Sequence, residues 1–244
     1  MNKKDLDQQS QHWENSFSNK PEMFGLDPSE AARHAKEIFE SQKIKNFFSR
    51  KSIDILELGA GLGRDTTYFA ANSNLIQVTA LDYSSEAIKN INKKKTDYYS
   101  DPTMTDGKSA ADKITTKVWD VRNGIPYKDN TFDGCFSHML YCMALTTSEI
   151  IKLNKEVHII LKPGAINIFT VRHTGDGDYK KGKHIGEDLY ENDGFIVHFF
   201  DKEKINQISK EFKIEDIFEL HEGSFPSCLL YTSDAADETG RGGV

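Results

Sequence analysis

Ile53-Asp54-Ile55-Leu56-Glu57-Leu58-Gly59-Ala60-Gly61-Leu62-Gly63-Arg64-Asp65 is the stretch that decides the fold. An apolar run reaches Glu57, three glycines follow at spacing two, and a helical pattern starts behind them. Glycines are needed where a backbone turns tightly and a ligand approaches it closely. The N-terminus of the following helix offers unpaired N–H groups. In the dinucleotide fingerprint GxGxxG the third glycine stands one residue later. A glutamate in front of the loop also suits a pyrophosphate poorly. It suits a ligand that carries an ammonium group and no phosphate.

Outward from this stretch the alternation repeats. Ser29-Glu30 opens a helix with Ala31, Ala35, Ile38 and Phe39 on one stripe, before the strand Ile53–Leu58. After the helix of 63–72 comes a second apolar run, Ile76–Leu81, closing on Asp82. Ser84 and Ser85 can cap the next helix, which carries Ala87, Ile88 and Ile91. Ile114–Trp119, Phe132–Ser137, Ala165–Val171 and Lys213–Leu220 read as further strands. Thr146-Thr147-Ser148-Glu149 spells a capping box for a helix to about Leu161, which Lys162-Pro163-Gly164 is expected to stop. Residues 95–113 and 172–194 read as irregular connections. Asp201 reads as the cap of a helix with Ile205, Ile208 and Phe212. Strands alternating with helices in this way imply an α/β fold, a mostly parallel sheet with helices on both faces.

Composition sets the limits. The chain has 244 residues, 28% of them charged, with a formal net charge of −7. One α/β domain with extensions suits that length better than two domains. The acidic balance argues against nucleic acid as an obligate partner. No stretch reaches the ~20 apolar residues of a membrane span, and MNKKDLDQQSQHWENSF lacks the apolar core of a secretory signal. Cys135, Cys142 and Cys228 form no CxxC pair, so neither a disulfide framework nor a metal site is expected. These features describe a cytoplasmic protein.

Acidic residues recur at the strand ends. Asp82 lies 23 residues after Gly59, and a carboxylate there can accept two hydrogen bonds from a ribose diol. At Asp120-Val121 a side chain and a neighbouring N–H can read an adenine edge. Phe132-Asp133 begins the fourth strand, which leads to Ser137-His138. Each has a bland reading alone, as a loop carboxylate, a cap or a turn residue. Together they put acidic groups at the carboxyl ends of three successive strands, where open α/β sheets bind ligands.

The set ILELGAGLGRD, TALDYSSEAI, WDVRNGIPYKDNTFDGCFSH and ILKPGA resembles the class I S-adenosylmethionine-dependent methyltransferases over about residues 53–171. The resemblance implies a Rossmann-like, doubly wound sheet and S-adenosylmethionine as cofactor. It places the methionine portion on Glu57 and the loop of Gly59, Ala60, Gly61 and Gly63. It gives the ribose hydroxyls to Asp82, with Tyr83 beside the adenine, and further adenine contacts to Asp120 and Val121. Ser137 and His138 would lie near the methyl donor. The family sheet has seven strands, the last antiparallel and internal. Six are legible here, so the final antiparallel strand is expected to be missing.

Two flanks complete the organisation. Residues 1–28 are polar but carry Trp13, Phe17, Met23 and Phe24, and read either as a solvated arm pinned by its aromatics or as a lid over a pocket. HWENSFSNKPEMFGLDPSE loosely resembles the lids of small methyltransferases acting on chalcogens and thiols. Residues 29–226 form the Rossmann-like domain. From Ser227 the text becomes SCLLYTSDAADETGRGGV, whose CLLYTSDAADE resembles a sequencing adapter translated in frame. Residues 227–244 are therefore expected to be a non-native, disordered tail.

Methyl transfer asks mainly for alignment and desolvation. A base is needed only where the acceptor must lose a proton, and His138, Tyr141 and His173 are the candidates. His184 reads as a solvated turn residue, and His198 as a strand residue satisfied by a backbone carbonyl. Ser137-His138-Met139-Leu140 stands where base-amine methyltransferases carry Asn/Asp-Pro-Pro-aromatic. Cys135 and Cys142 fall in apolar runs, unlike the dedicated cysteines of arsenic methyltransferases. The expected function is methyl transfer to a small-molecule acceptor by in-line displacement, with neither nucleic acid nor membrane as partner. The alternatives are a non-catalytic S-adenosylmethionine-binding protein and an NAD(P)-dependent oxidoreductase.

Overall fold

A computed structural model describes residues 3–41, 52–100, 107–222 and 225–235. In chain order come α1 (Lys3–Asn19), α2 (Glu30–Phe39), β1 (Ile53–Leu58), α3 (Arg64–Asn72), β2 (Ile76–Asp82), α4 (Ser85–Ser100), α5 (Gly107–Asp112) and β3 (Ile114–Val118). A 3-10 turn (Val121–Asn123) precedes β4 (Phe132–Ser137), α6 (Thr147–Ile160) and β5 (Leu161–His173). β6 (Lys183–Gly186), β7 (Leu189–Asn192), β8 (Phe195–Phe200), α7 (Lys202–Ile208), β9 (Phe212–Glu222) and β10 (Phe225–Ala235) follow.

The sheet runs β3-β2-β1-β4-β5-β8-β7-β6, with β10 pairing both β5 and β9. β3, β2, β1, β4 and β5 are parallel neighbours, the Rossmann-like, doubly wound arrangement expected. Their side chains alternate between two cores. Ile53 and Ile55 pack with Phe39, Phe69 and Ile91 on one face. Leu56 and Leu58 pack with Leu153, Val157 and Ile205 on the other. Burial on both faces is what makes these strands read as continuous apolar runs. Ser29 caps α2, and Thr146 with Glu149 forms the expected capping box on α6.

The structure corrects several expectations. The final antiparallel strand is present. β10 pairs antiparallel with β5 from Cys228 to Asp234, and β9 lies on its other edge. An extended segment next to an open edge satisfies its backbone almost regardless of side chains, and Cys228–Thr232 is rich in strand-forming types. The expected disordered tail therefore contributes a strand to Ala235, and 236–244 lie outside the described residues. Lys162-Pro163-Gly164 does not end α6 but lies inside β5. Within 95–113, α4 continues to Ser100 and α5 fills 107–112, while 101–106 lie outside the described residues. Within 172–194, β6 and β7 form a hairpin. Phe212 opens β9 and is not part of α7. Among the described residues no helix is long and apolar enough to cross a membrane.

Candidate active site

Leu58 and Leu81 are register partners in β1 and β2, which brings Glu57, the glycine loop and Asp82 together. The Gly61 N–H donates to Asp82 Oδ2 at 2.8 Å and the Ser84 N–H to Oδ1 at 2.8 Å. Asp82 thus ties the loop to the start of α4. Gly59, Gly61 and Gly63 have φ of 71°, 51° and 77°, the left-handed region that glycine enters without steric cost. A Cβ on Gly63 would sit 2.4 Å from Ile91 Cγ1, whereas one on Gly61 would meet only Phe17 at 3.9 Å. Gly63→Ala is therefore expected to cost about 2–5 kcal/mol, from left-handed strain plus overpacking. Gly61→Ala should cost about 1 kcal/mol from strain alone. Urea unfolding of both variants checks the contrast.

Glu57 is buried, and its Oε2 accepts the Thr66 hydroxyl at 2.5 Å. Burial, with Asp65 and Asp82 beside it, pushes its carboxyl well above the usual carboxylate range. Burial likewise raises Asp82 to about 6, against the two N–H bonds it accepts. Buried carboxyls that resist ionisation gain from a positive ligand.

A cavity of about 610 Å³ opens over these strand ends, with Glu57, the 59–62 loop, Asp82 and Tyr83 in its lining. Each Asp82 oxygen takes one N–H and keeps a further lone pair for a hydroxyl. The donor set fits a positively charged nucleoside ligand without phosphate. Burial raises the Tyr83 hydroxyl far above its ordinary value, so it stays neutral.

The other expected adenine contacts are not brought into the cavity. Asp120 accepts the Arg122 guanidinium at 2.7–3.1 Å and caps the 3-10 turn. Although burial alone would raise its carboxyl, Arg122 holds it below the usual range. Asp120 and Val121 are not lining residues. Ser137 is fully buried, and its Oγ has no hydrogen-bond partner among the described residues.

Of the three base candidates, only His138 lines the cavity. Arg64 Nη2 lies 3.2 Å from its Nε2, and Thr170 Oγ1 lies 2.9 Å from its Nδ1. A guanidinium only donates, so Nε2 accepts and the ring proton sits on Nδ1. Tyr141, in contrast, is fully buried, stacks on Phe169 at 4.4 Å and donates to Asn154 at 2.8 Å. It packs the core. His173 accepts the Gly175 N–H at 3.0 Å on Nδ1 and shapes the turn after β5. His198 bonds the Leu145 carbonyl at 2.7 Å, the backbone satisfaction expected of it.

The aromatics of residues 1–28 read as an arm or a lid, and no motif marks the two anchors that hold α1 across the cavity. At one end the Gln9 side chain donates to the Gly194 carbonyl at 2.6 Å and accepts the Ile196 N–H at 3.1 Å. At the other, Glu14 accepts the Ser84 and Ser85 hydroxyls and the Glu86 N–H. Trp13 and Phe17 lie between these anchors and line the cavity. Arg64 and Arg172 also line it.

The buried, doubly wound sheet and its acidic strand-end cavity define an α/β protein with a candidate ligand site at its strand ends. Residues 55–164 match the family model of a methyltransferase domain. No curated protein sequence matches the chain. A methyltransferase structure from Methanosarcina mazei, described as S-adenosylmethionine-dependent, aligns with a TM-score of 0.62 at 20% identity, covering 81% of this chain and 99% of that one. The 1,6-didemethyltoxoflavin N1-methyltransferase of Burkholderia thailandensis, bound to its acceptor and S-adenosylhomocysteine, aligns with a TM-score of 0.66 at 16% identity, over 95% and 89%. The N-methyltransferase NodS of Bradyrhizobium japonicum, with S-adenosylhomocysteine, gives 0.60 at 14% identity, over 93% and 98%. Residues 55–164 are thus similar to a methyltransferase domain, and the chain shares its fold with structures of S-adenosylmethionine-dependent methyltransferases.

Proposed function

We propose that this chain is an S-adenosylmethionine-dependent methyltransferase that acts on a small-molecule acceptor, held under α1 next to the cofactor end of the cavity, by in-line displacement. The observation that carries this reading is the division of one cavity. Its strand-end floor is acidic and glycine-lined, and its roof is aromatic, formed by Trp13, Phe17, Phe24 and Phe195. When bound, S-adenosylmethionine supplies a methyl carbon on a sulfonium that is already a good leaving group. The protein's work is then to bind, align and exclude water. Glu57 and the glycine loop would hold the methionine portion and Asp82 the ribose. The α1 helix acts as the lid, since its anchors sit on opposite sides of the opening. His138 Nε2 takes the proton of any acceptor that must lose one, once the Arg64 bond is released. Nucleic acid has no part in this reading, because the cavity is walled by apolar rings and the net charge is −7.

Titration calorimetry with S-adenosylmethionine, S-adenosylhomocysteine and NADH, followed by product analysis across small acceptors, tests it. The first two should bind and NADH should not. Binding with no methylated product from any small acceptor would favour a non-catalytic role instead. For an acceptor that must lose a proton, His138→Ala should lower kcat by about a hundredfold or more. S-adenosylhomocysteine affinity should not move.

A further inference from the structure

We infer that the acceptor is a flat, uncharged aromatic or heteroaromatic molecule carrying a carbonyl or hydroxyl oxygen, and that Arg172 receives this oxygen. The inference rests on the reading of the cavity as a methyltransfer site and names the substrate class of its acceptor half.

Arg172 closes β5 and lines the cavity on the side away from the acidic floor. Three neighbours hold its guanidinium still. Nε lies 2.6 Å from Asp176 Oδ2, with its N–H off the line of contact, and Nη2 donates to Asp178 Oδ2 at 3.0 Å. The Phe199 ring lies 5.8 Å from the guanidinium carbon. Asp176 is itself completely buried at its side chain and accepts the Asp178 N–H at 2.8 Å, so the turn after β5 is built around the arginine. Among the described residues no hydrogen bond reaches Nη1. A guanidinium pinned on two edges presents its remaining N–H donors at little further entropy cost.

The charge of this wall selects the guest. Lys181 lies 3.6 Å from Asp178, so two cations and two carboxylates cancel around the donor. A carboxylate guest would meet Asp178, with Asp176 buried behind Arg172, and an ammonium guest would meet Arg172, Lys181 and Arg64. A neutral oxygen meets neither objection. Shape supplies the rest. Trp13 lies 4.9 Å from Phe195, 5.3 Å from Phe17 and 6.2 Å from Phe24, the spacings at which aromatic rings attract. A flat ring extends this set, whereas an aliphatic guest leaves the ring faces unmatched.

The test uses four bicyclic probes: 2-quinolone, quinoline, the neutral saturated lactam octahydro-2(1H)-quinolinone and quinoline-2-carboxylate. Their binding to the full chain is titrated with and without S-adenosylhomocysteine, whose own affinity is measured in parallel. 2-Quinolone should bind about tenfold tighter than quinoline, the worth of one good hydrogen bond, and tighter than the saturated lactam, which keeps the oxygen but not the flat ring. Arg172→Gln and Arg172→Met should remove the quinolone preference and leave S-adenosylhomocysteine affinity unchanged. Asp178→Asn, which leaves the guanidinium in place and the wall positive, should raise quinoline-2-carboxylate binding severalfold. Equal binding of the saturated lactam, tightest binding of the carboxylate to the wild type, or a quinolone preference that survives in a folded Arg172 variant would overturn the inference. Failure to bind S-adenosylhomocysteine would instead count against the methyltransfer reading, because the probe series reads the wall without it.

Discussion

Asp82→Ala should weaken S-adenosylmethionine and S-adenosylhomocysteine binding by about 1–3 kcal/mol, roughly five- to a hundredfold, in a chain that still folds. Two losses add. The ribose hydroxyls lose an ionised acceptor, and the Gly61 and Ser84 N–H groups lose the carboxylate that fixes the loop against α4. Asp82→Asn keeps the volume and one acceptor oxygen, so it should fall between the wild type and alanine. Calorimetry at 25 °C measures affinity, and a urea titration confirms folding. Unchanged affinity in the folded alanine variant would refute the ribose assignment.

The same residue gives the protein a pH signature. Its carboxyl is raised to about 6 in the free protein, from an ordinary value of 3.8. A group raised by folding stabilises the fold fully below its unfolded value, and that contribution is lost as pH rises through the folded one. Asp82 therefore contributes up to about 3 kcal/mol near pH 4 that is gone above pH 6 to 7, and Glu57 acts in the same direction. A cationic ligand reverses the preference by favouring the ionised carboxyls. Binding of S-adenosylmethionine at pH 5.5 should therefore release protons, and at pH 8 the Asp82 share of that release should vanish. Calorimetry in two buffers of different ionisation enthalpy reads this directly. Proton uptake at pH 5.5 would contradict it.

The cofactor half of the site was legible because it is contiguous text. Glu57 and the glycines follow one strand and Asp82 ends the next, and parallel pairing of buried strands brings them together without distant contributions. The proposed acceptor half is assembled from remote pieces. Gln9 meets Gly194 across 185 positions, and neither residue stands in a motif. Arg172 reads as the first residue of the irregular 172–194 connection until Asp176 and Asp178 are seen around it. Tyr141 misled for a related reason. It follows His138 by three residues, but Met139 turns the chain at φ 64° and the ring stacks on Phe169 in the core. β6 and β7 lack apolar alternation and are held by hairpin pairing, while β10 is held by the edges of β5 and β9. Pairing of that kind leaves little trace in composition.

The largest loss of stability is expected far from the cavity, at Asp133→Ala, about 3–5 kcal/mol. Asp133 is fully buried at the start of β4, at the opposite end of the strands from Glu57. Its Oδ1 accepts Lys162 Nζ of β5 at 2.7 Å and its Oδ2 accepts the Asp54 N–H of β1 at 2.9 Å. One carboxylate thus joins three adjacent strands. Its removal strips a nearly buried ammonium of this counter-charge and leaves a backbone donor without its acceptor, both costly in a low dielectric. At about 2–4 °C per kcal/mol for a chain of this size, Tm should fall on the order of 10 °C. Cofactor affinity measured well below that Tm should not change. Adding Lys162→Met should recover part of the loss, since an apolar replacement removes the ammonium that lost this counter-charge but does not restore the bond from the Asp54 N–H. If the single variant lost under 1 kcal/mol, the strand-joining role would fail. If the double variant were no better than the single, loss of the Asp54 N–H bond rather than of the Lys162 ion pair would account for the cost.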